Sequence, residues 1–354
     1  MADRKRKKAI VAGSSGVVGR RLAEYLQTLE EWDVIGLSRR APIGGNDVPR
    51  IAVDLSDAVD TRVKLGHLGD VTHIFYVARF DHPEGMPEPI ETNFAMFRNL
   101  IDTVVPIATD LEHVHVGSGH KNYGLHQGPA PTPAREDAPR TLQSSFYYQQ
   151  EDYIRALQKG RRWSWSTARP TGVCDTAPGI TRSMISLICA YAALSKELGL
   201  PLRFPGTPGN YTALYQCTDA LQLAKATTWM ATAPNCANQH FNVTNGDVFR
   251  WCNLWPKFAD YFGMEAGPVQ TINLALNMTG MEPVWQRIIE KYDLVHQPLD
   301  RVVLWSYWKH LWTPDWDIVS SMTKALQYGF QGFVDSEEMF SRMFDHFRSE
   351  RIFP

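Results

Sequence analysis

Short apolar runs alternate with amphipathic helical stretches through the first half of the chain. A strand over residues 8–12, a helix over 18–29 and a strand over 33–37 are predicted, and together they form a βαβ unit. The same patterns predict further strands at 50–53, 73–77, 113–117 and 163–168, and helices at 90–105 and 148–158. Alternation of this kind is typical of a parallel sheet covered by helices on both faces.

The pattern changes after residue 170. A helical stretch over 185–197 precedes a segment rich in glycine and proline over 201–210, and residues 241–243 are predicted as a strand that returns to the sheet. Residues 251–354 are dense in aromatic side chains and are expected to form helices, with their tryptophans either in a core or along a pocket wall. The predicted fold is therefore α/β, with a doubly wound parallel sheet and a smaller, mostly helical C-terminal lobe.

Composition narrows the functional classes. The chain has 354 residues, 44% of them hydrophobic, and a net charge of −2, so neither disorder nor nucleic-acid binding is indicated. The basic run Arg4 to Lys8 is interpreted as a solvated tail, rather than a targeting signal or a nucleic-acid patch. No segment approaches the roughly 20 apolar residues of a membrane span. The five cysteines are scattered without metal-ligand spacing, which favours a cytoplasmic protein with no metal site.

The first predicted turn carries three glycines, Gly13, Gly16 and Gly19, between a strand and a helix. Glycines at this junction allow a sharp turn, a close approach of backbone to a pyrophosphate and tight packing of helix on sheet. The helix N-terminus then offers free amides to the phosphates. A tight turn that binds nothing is the alternative, but the strand and helix on either side favour a Rossmann-type dinucleotide site.

The end of the second predicted strand bears on the choice of cofactor. Ser38, Arg39 and Arg40 stand where an enzyme that uses NAD usually presents an acidic residue to the ribose. Two guanidiniums suit the 2′-phosphate of NADPH, unless they are ordinary loop charges. Asp54 and Leu55 follow the third strand and are placed to contact the adenine, although Asp54 could instead cap a turn.

Candidate catalytic residues follow from the needs of a hydride transfer. A tyrosine can supply a proton or hydrogen bond to a substrate oxygen if a nearby cation lowers its pKa. The usual YxxxK spacing is absent, because Glu151 follows Tyr147 by one helical turn and Asp152 follows Tyr148. Lys121 is the candidate cation, since it comes directly after the strand at 113–117, and ligands bind at the carboxyl ends of such strands.

These residues resemble the plant progesterone 5β-reductase and iridoid synthase group, an atypical branch of the extended short-chain dehydrogenases. The most specific shared motifs are Gly119-His120-Lys121-Asn122-Tyr123 and Phe146-Tyr147-Tyr148. The similarity runs nearly end to end, through residues 13–19, 38–40, 71–77, 93–99, 151–152, 169–170, 241–249, 282–285 and 329–333.

The resemblance implies NADPH as cofactor, Tyr147 as the catalytic tyrosine and Lys121 as the catalytic lysine. In this family hydride goes to the β-carbon of an α,β-unsaturated carbonyl and the tyrosine stabilises the enolate, so the expected substrate is a small apolar carbonyl compound. Two domains are expected. Residues 1–175 form the NADP-binding domain, to which residues 210–250 return. Residues 176–209 and 251–354 form the substrate-binding lobe. The cofactor contacts are expected at Gly13, Ser15, Gly16, Val17, Val18, Ser38, Arg39, Arg40, Asp54, Leu55, Ala78, Arg79, Gly117, Ser118, Val173, Ser183 and Met184.

Two departures from the family pattern keep alternatives open. Arg79 replaces a tryptophan beside the nicotinamide, and Gln127 replaces a common phenylalanine; Phe80, Gln127 and Trp305 are the candidate pocket residues. Direct reduction of a carbonyl or imine by the same machinery, and a regulator that senses NADP without catalysis, are the other functions considered. Tyr147 could also be a core aromatic, Lys121 a surface lysine and His126 a loop residue. The oligomeric state stays open, with a homodimer as one alternative.

Overall fold

The computed structural model describes residues 6–40, 47–81, 86–177 and 179–354. The predicted tail at Arg4 and Lys5 lies outside these residues. The strands of the protein, in chain order, are β1 Lys7–Ala12, β2 Trp32–Ser38, β3 Arg50–Ala52, β4 His73–Tyr76, β5 His113–Gly117, β6 Ser164–Pro170, β7 Val173–Cys174, β8 Leu214–Tyr215, β9 Thr218–Asp219, β10 Gln239–Val243 and β11 Phe249–Arg250.

A seven-stranded sheet forms the centre of the molecule, with strand order β10-β6-β5-β4-β1-β2-β3. Every neighbouring pair is parallel, and the register places Ala12 opposite Leu37 on one side and Tyr76 on the other. The chain runs outward from β1 in both directions, so the crevice between the carboxyl ends of β1 and β4 is the topological switch point. The predicted doubly wound parallel sheet is confirmed, including the returning strand at 241–243.

Helices lie on both faces of this sheet, and others pack mainly against one another. They are α1 Val17–Gln27, α2 Ala58–Leu65, α3 Ile90–Val104, α4 Phe146–Gln158, α5 Met184–Glu197, α6 Pro208–Thr212, α7 Ala220–Thr232, α8 Trp251–Tyr261, α9 Leu274–Asn277, α10 Glu282–Tyr292, α11 Tyr307–Trp312, α12 Thr323–Gln327 and α13 Ser336–Ser349, with short 3₁₀ turns at His120–Tyr123, Pro234–Cys236 and Leu299–Arg301. The predicted helices at 18–29, 90–105, 148–158 and 185–197 are confirmed to within two residues at each end.

Two helices, one on each face of the sheet, show how the hydrophobic pattern directs packing. Helix α1 buries Leu22, Ala23 and Leu26, which recur at helical spacing, and it lies against α7. On the opposite face α3 buries Phe97 and Ile101 in the same way against the sheet. Each apolar stripe thus fixes one helix to the strands between which it runs.

The aromatic residues of the C-terminal third mainly form a core. Trp251, Trp255 and Trp312 are almost completely buried and pack around Phe204 with ring centroids 5.0–6.1 Å apart. Trp285 and Trp308 belong to the same apolar cluster. Of the two roles considered for these tryptophans, packing in a core therefore describes the five named here.

Among the described residues, no helix is both long and apolar enough to cross a membrane.

Candidate functional site

One large cavity opens at the carboxyl edge of the sheet, with a volume of about 510 Å³. Each of the strands β1, β2, β4, β5 and β6 ends at its wall, as the topological switch point requires. The residues predicted from sequence that line it are Gly13, Ser15, Gly16, Val17, Val18, Ser38, Arg39, Asp54, Leu55, Ala78, Arg79, Gly117, Ser118, Lys121, Tyr147 and Val173.

The glycine turn at one end of the cavity is held against the neighbouring strands by backbone hydrogen bonds. Gly13 has a φ of +87° and donates to the Leu37 carbonyl at 2.9 Å, while a Cβ at this position would lie 2.8 Å from the Ala78 backbone. A Cβ at Gly19 would meet the Gly13 carbonyl. Only glycine fits at either position, which is why the chain passes this close to the sheet edge.

Helix α1 begins at this turn with its amides available. Its N-cap is Gly16, and no side chain caps the helix. Ser118 lies opposite, after β5, and its buried hydroxyl has no hydrogen-bond partner among the described residues. Free helical amides and an orphaned hydroxyl fit the phosphates and sugar of a dinucleotide, so the residues present match the cofactor class that the sequence suggests.

Beside the turn, the two predicted arginines differ in position. Arg39 lines the cavity, and its guanidinium lies 5.6 Å from the centre of the Phe80 ring. Arg40 is exposed and is not among the lining residues. Asp54 also lines the cavity, but its carboxylate accepts hydrogen bonds from the amide and hydroxyl of Ser56 at 3.0 and 2.6 Å, and these lower its pKa. The turn-capping role considered for Asp54 is therefore present.

Tyr147 enters the cavity from the first turn of α4. Ser145 caps this helix by accepting from the Tyr147 amide at 3.3 Å, and the neighbouring Phe146 is buried in the cavity wall. The Tyr147 hydroxyl has no hydrogen-bond partner among the described residues, whereas the Tyr148 hydroxyl donates to the Asn122 carbonyl at 2.7 Å. Burial raises the pKa of Tyr147, which keeps its phenol protonated near neutral pH.

Lys121 reaches the same cavity from the 3₁₀ turn after β5. Its ammonium donates to Glu88 Oε1 at 3.2 Å, and the guanidinium of Arg79 donates to the same oxygen at 2.9 Å. No hydrogen bond joins Lys121 to Tyr147 in the described part of the chain. Burial lowers the pKa of Lys121, Arg79 lowers it further, and Glu88 opposes both effects. The Lys121 ammonium was expected to act on Tyr147, but its hydrogen bond goes to the Glu88 carboxylate.

The position one helical turn after Tyr147 has a structural role. Glu151 is buried, and its carboxylate lies 3.1 to 3.4 Å from the guanidiniums of Arg140, Arg155 and Arg169 and 3.4 Å from the His240 ring. This cluster ties α4 to β6 and β10. The residue that replaces the lysine of the YxxxK spacing therefore anchors the helix that carries Tyr147.

Several residues predicted from sequence lie elsewhere. Ser183 caps α5 by accepting from the Ser186 amide at 3.3 Å, and Met184 is buried beside Cys174. Phe80 packs beneath Arg39, Gln127 is exposed and Trp305 is half-buried against the C-terminal core. None of these five residues, nor Arg40, is among those lining the cavity.

Neighbouring residues line the cavity in their place; Arg182 and Tyr307 were missed, whereas His126 had been considered as a loop residue. The cavity is lined by Arg182, which directly precedes Ser183, by His126, which precedes Gln127, and by Tyr307, which lies two residues after Trp305. His120 and His310 face each other across it with ring centroids 6.4 Å apart. Burial lowers the pKa of His120 and of His126 to about 4, so both rings are neutral near pH 7. For Arg182, His126 and Tyr307, the sequence predicted the segment that lines the cavity. The direction of the side chains determined which residue of each segment lines it.

Across the described residues, His, Cys, Asp and Glu side chains form no group of three suited to a metal ion.

Comparison with known proteins agrees with this architecture. The solved structures of UDP-glucose 4-epimerase from Thermotoga maritima and Thermus thermophilus align with TM-scores of 0.69 and 0.65 at 14% and 16% identity. They cover 97% and 96% of this chain, and 99% of each epimerase chain is matched. These likenesses show a shared fold.

Sequence relatives are more specific. The chain is 34% identical to a 3-oxo-Delta(4,5)-steroid 5-beta-reductase of Arabidopsis thaliana, over 98% of this chain and 93% of the relative. It is 33% identical to an (S)-8-oxocitronellyl enol synthase of Nepeta cataria, over 98% of this chain and 91% of the relative. The PRISE-like Rossmann-fold domain matches residues 46–354. With this fold, this cavity and these relatives, the chain belongs to the PRISE-like Rossmann-fold family.

Proposed function

We propose that this protein is an NADPH-dependent reductase of the C=C bond in α,β-unsaturated carbonyl compounds. The family relatives, one named a steroid 5-beta-reductase and the other an enol synthase, support this reaction class. The observation that carries the proposal is the Tyr147 hydroxyl, which bonds to none of the described residues and lies in the same cavity as the glycine turn and Lys121. A hydrogen-bond donor, a cation and a dinucleotide cradle in one cavity are the parts that such a reduction needs.

The cofactor end of the cavity is the glycine turn with Ser118 and Arg39. The amides at the start of α1 would bind the pyrophosphate, and Arg39 would bind the 2′-phosphate that distinguishes NADPH from NADH. The bound nicotinamide supplies the hydride. The remaining predicted contacts on the lining, among them Ala78, Gly117 and Val173, are proposed to surround the cofactor.

Tyr147 is proposed to act on the substrate oxygen. Because its pKa is raised, the phenol is protonated and can donate a hydrogen bond to the carbonyl. Negative charge gathers on that oxygen as the β-carbon receives hydride, so the hydrogen bond strengthens as the enolate forms. A proton from water then reaches the α-carbon of the enolate and gives the saturated carbonyl compound, so Tyr147 keeps its own proton.

Lys121 is proposed to stabilise the same charge from a short distance. Its ammonium is oriented by Glu88, which also holds Arg79, so the cations stay fixed in a cavity where water screens them little. Preorganised charge of this kind costs no rearrangement during the reaction. The substrate part of the site is proposed to come from residues 176–209 and 251–354, which supply Arg182, Tyr307 and His310.

The decisive experiment compares two tyrosine substitutions on one helix. Tyr147→Phe should lower the rate of the chemical step by about 10²-fold or more, the scale for loss of one oxyanion donor, while NADPH binding stays nearly unchanged. Tyr153→Phe is the matched control, since that hydroxyl bonds Asp102 on the outer side of α4. Single-turnover oxidation of NADPH with 2-cyclohexen-1-one measures the step. Equal rates in both variants would remove Tyr147 from the mechanism.

Product analysis separates the proposed reaction from its rivals. With citral and progesterone as substrates, saturated carbonyl products are expected, because hydride is proposed to reach the β-carbon. Allylic alcohols would instead show direct carbonyl reduction. Tight NADPH binding without turnover of any of these compounds would identify a cofactor-sensing protein.

A further inference from the structure

Arg182 is a cation of the cavity that has no assigned partner in the reaction. It directly precedes the N-cap of α5, and its guanidinium lies over the Tyr307 ring, 5.2 Å from the ring centre. Its side chain is 33% exposed, so it is partly shielded from water. The guanidinium makes no hydrogen bond to any residue that the structure describes. An arginine that stacks on a ring, is half-buried and has N–H donors not used by the described residues is suited to bind a ligand in the cavity.

The surrounding charges leave this arginine weakly compensated. Glu88 holds both Arg79 and Lys121 through one oxygen. Among the described residues, the ionic partner of Arg182 is Asp81, whose Oδ1 is 3.5 Å away and whose side chain is 66% exposed. An ion pair with so exposed a carboxylate is screened by water and contributes little. Among these five charged groups there are three cations and two anions, and Arg182 is the one whose charge is least neutralised.

The wall near Tyr307 is apolar. Leu311, Ile318 and Tyr215 line the cavity there and are almost completely buried. A ligand that fills this part of the cavity would therefore place carbon atoms against that wall and could place one charged group against Arg182. The combination favours an amphiphilic molecule over a wholly apolar one.

We propose that Arg182, held in place by Tyr307, is a receptor for a carboxylate on the substrate. The preferred substrate is then an enone or enal whose apolar carbon skeleton also carries a carboxylate. This inference rests on the proposed function, because it names the substrate class of that reaction. A guanidinium suits this role because its planar fork matches the two oxygens of a carboxylate, and stacking on a ring leaves the edge of that fork free.

The position of Arg182 argues against a role on the cofactor phosphates. Those groups are assigned to the glycine turn and to Arg39, whereas Arg182 contacts Tyr307 and Asp81. Its positive charge also lowers the pKa of Tyr147, against the larger effect of burial, which places it near the proposed oxyanion donor. The receptor and the reacting oxygen would thus lie at the same end of the cavity.

A matched pair of ligands tests the receptor. The probes are (E)-6-oxohept-4-enoate and its methyl ester, which share the enone and differ in the charge and one methyl group of the terminal carboxyl group. Binding is measured by calorimetry to the full chain, with and without saturating NADP⁺. The wild-type protein should bind the acid about tenfold or more tightly than the ester, the scale of a charge-assisted hydrogen bond. Arg182→Gln should reduce this ratio to about one, because the acid loses its charge-assisted hydrogen bond.

Two further variants complete the test. Lys309→Gln removes an exposed cation from α11 outside the cavity lining, so it should keep the preference for the acid. Arg182→Lys keeps the charge but loses the planar fork, so an intermediate ratio is expected. A far-ultraviolet circular dichroism spectrum that matches the wild type reports that each variant is folded.

Equal binding of acid and ester by the wild type would overturn the proposed receptor. So would an acid preference that survives Arg182→Gln, or an equal loss of affinity for NADP⁺ and both probes in that variant. The last result would assign Arg182 to the cofactor. Turnover is recorded separately with the ester and NADPH. If the ester is not reduced but the acid preference still depends on Arg182, the proposed reaction fails and the receptor stands.

Discussion

At the scale of single residues, neighbouring side chains of the same type take opposite roles. Tyr147 and Tyr148 are adjacent, yet the hydroxyl of one is free in the cavity while the other is bound to the Asn122 carbonyl. Successive residues on a helix point about 100° apart, so neighbours such as Tyr147 and Tyr148 are directed into different surroundings. The family motif had identified Tyr147 as the catalytic tyrosine, and the geometry supports that choice.

Arg39 and Arg40 offer a prediction of the same kind. Arg39→Ala should lower the preference for NADPH over NADH by about tenfold or more, because a charge-assisted hydrogen bond to the 2′-phosphate is lost. Arg40→Ala is the control, since Arg40 is exposed and outside the cavity lining. Dissociation constants for both cofactors, measured by fluorescence quenching, give the ratio. An equal change in the two variants would contradict the assignment of Arg39.

At the scale of elements, α4 carries both Tyr147, the proposed catalytic residue, and Glu151, which anchors the helix. Glu151 sits one turn after Tyr147 and is surrounded by three guanidiniums. We predict that Glu151→Ala lowers the free energy of unfolding by about 3–5 kcal/mol, because the buried guanidinium of Arg169 loses its paired carboxylate. Urea unfolding measures the loss.

Asp152 is the matched control for this helix. Its carboxylate pairs with Arg140 at 2.7 Å but is 61% exposed, so Asp152→Ala should cost less than about 1 kcal/mol. Similar losses in the two variants would show that the cluster around Glu151 does not hold α4 in place.

At the scale of the whole molecule, buried histidines in the central sheet predict sensitivity to acid. Burial lowers the pKa of His73 and of His115 to about 3, and that of His113 well below its usual value. The unfolded chain binds these protons near pH 6.5 and the folded chain does not, so stability is complete above pH 6.5 and falls as the pH drops below it. Each such histidine contributes a slope of about 1.4 kcal/mol per pH unit in that range.

Replacing one of these histidines checks the slope. His73→Gln should flatten the pH dependence of the unfolding free energy between pH 4 and 6 by about 1.4 kcal/mol per pH unit. His67→Gln should leave it unchanged, because the His67 ring is exposed. Chemical unfolding at several pH values gives the comparison, and an unaltered slope for His73→Gln would mean that this ring is protonated in the folded protein.

The local pattern of the sequence determined most of the sheet. The sequence predicts the ends of seven elements to within two residues: strands β1, β2, β4 and β5 and helices α1, α3 and α4. Each of them buries an apolar stripe or run whose period can be read from the sequence. The glycine turn was also predictable from the sequence, since a Cβ at Gly13 or at Gly19 would clash with neighbouring backbone atoms. The family itself was identifiable from motifs that extend almost from end to end.

Only the tertiary structure decided which side chains share the cavity. Glu88 meets Lys121 across 33 residues of sequence, and Arg182 meets Tyr307 across a longer separation, so no local pattern records either contact. The tryptophans could be assigned to a core only once α8 and α11 were seen packed around Phe204. Periodicity states which face of an element is apolar, but the packing of elements against one another fixes which polar groups are brought together and what charge they leave uncompensated.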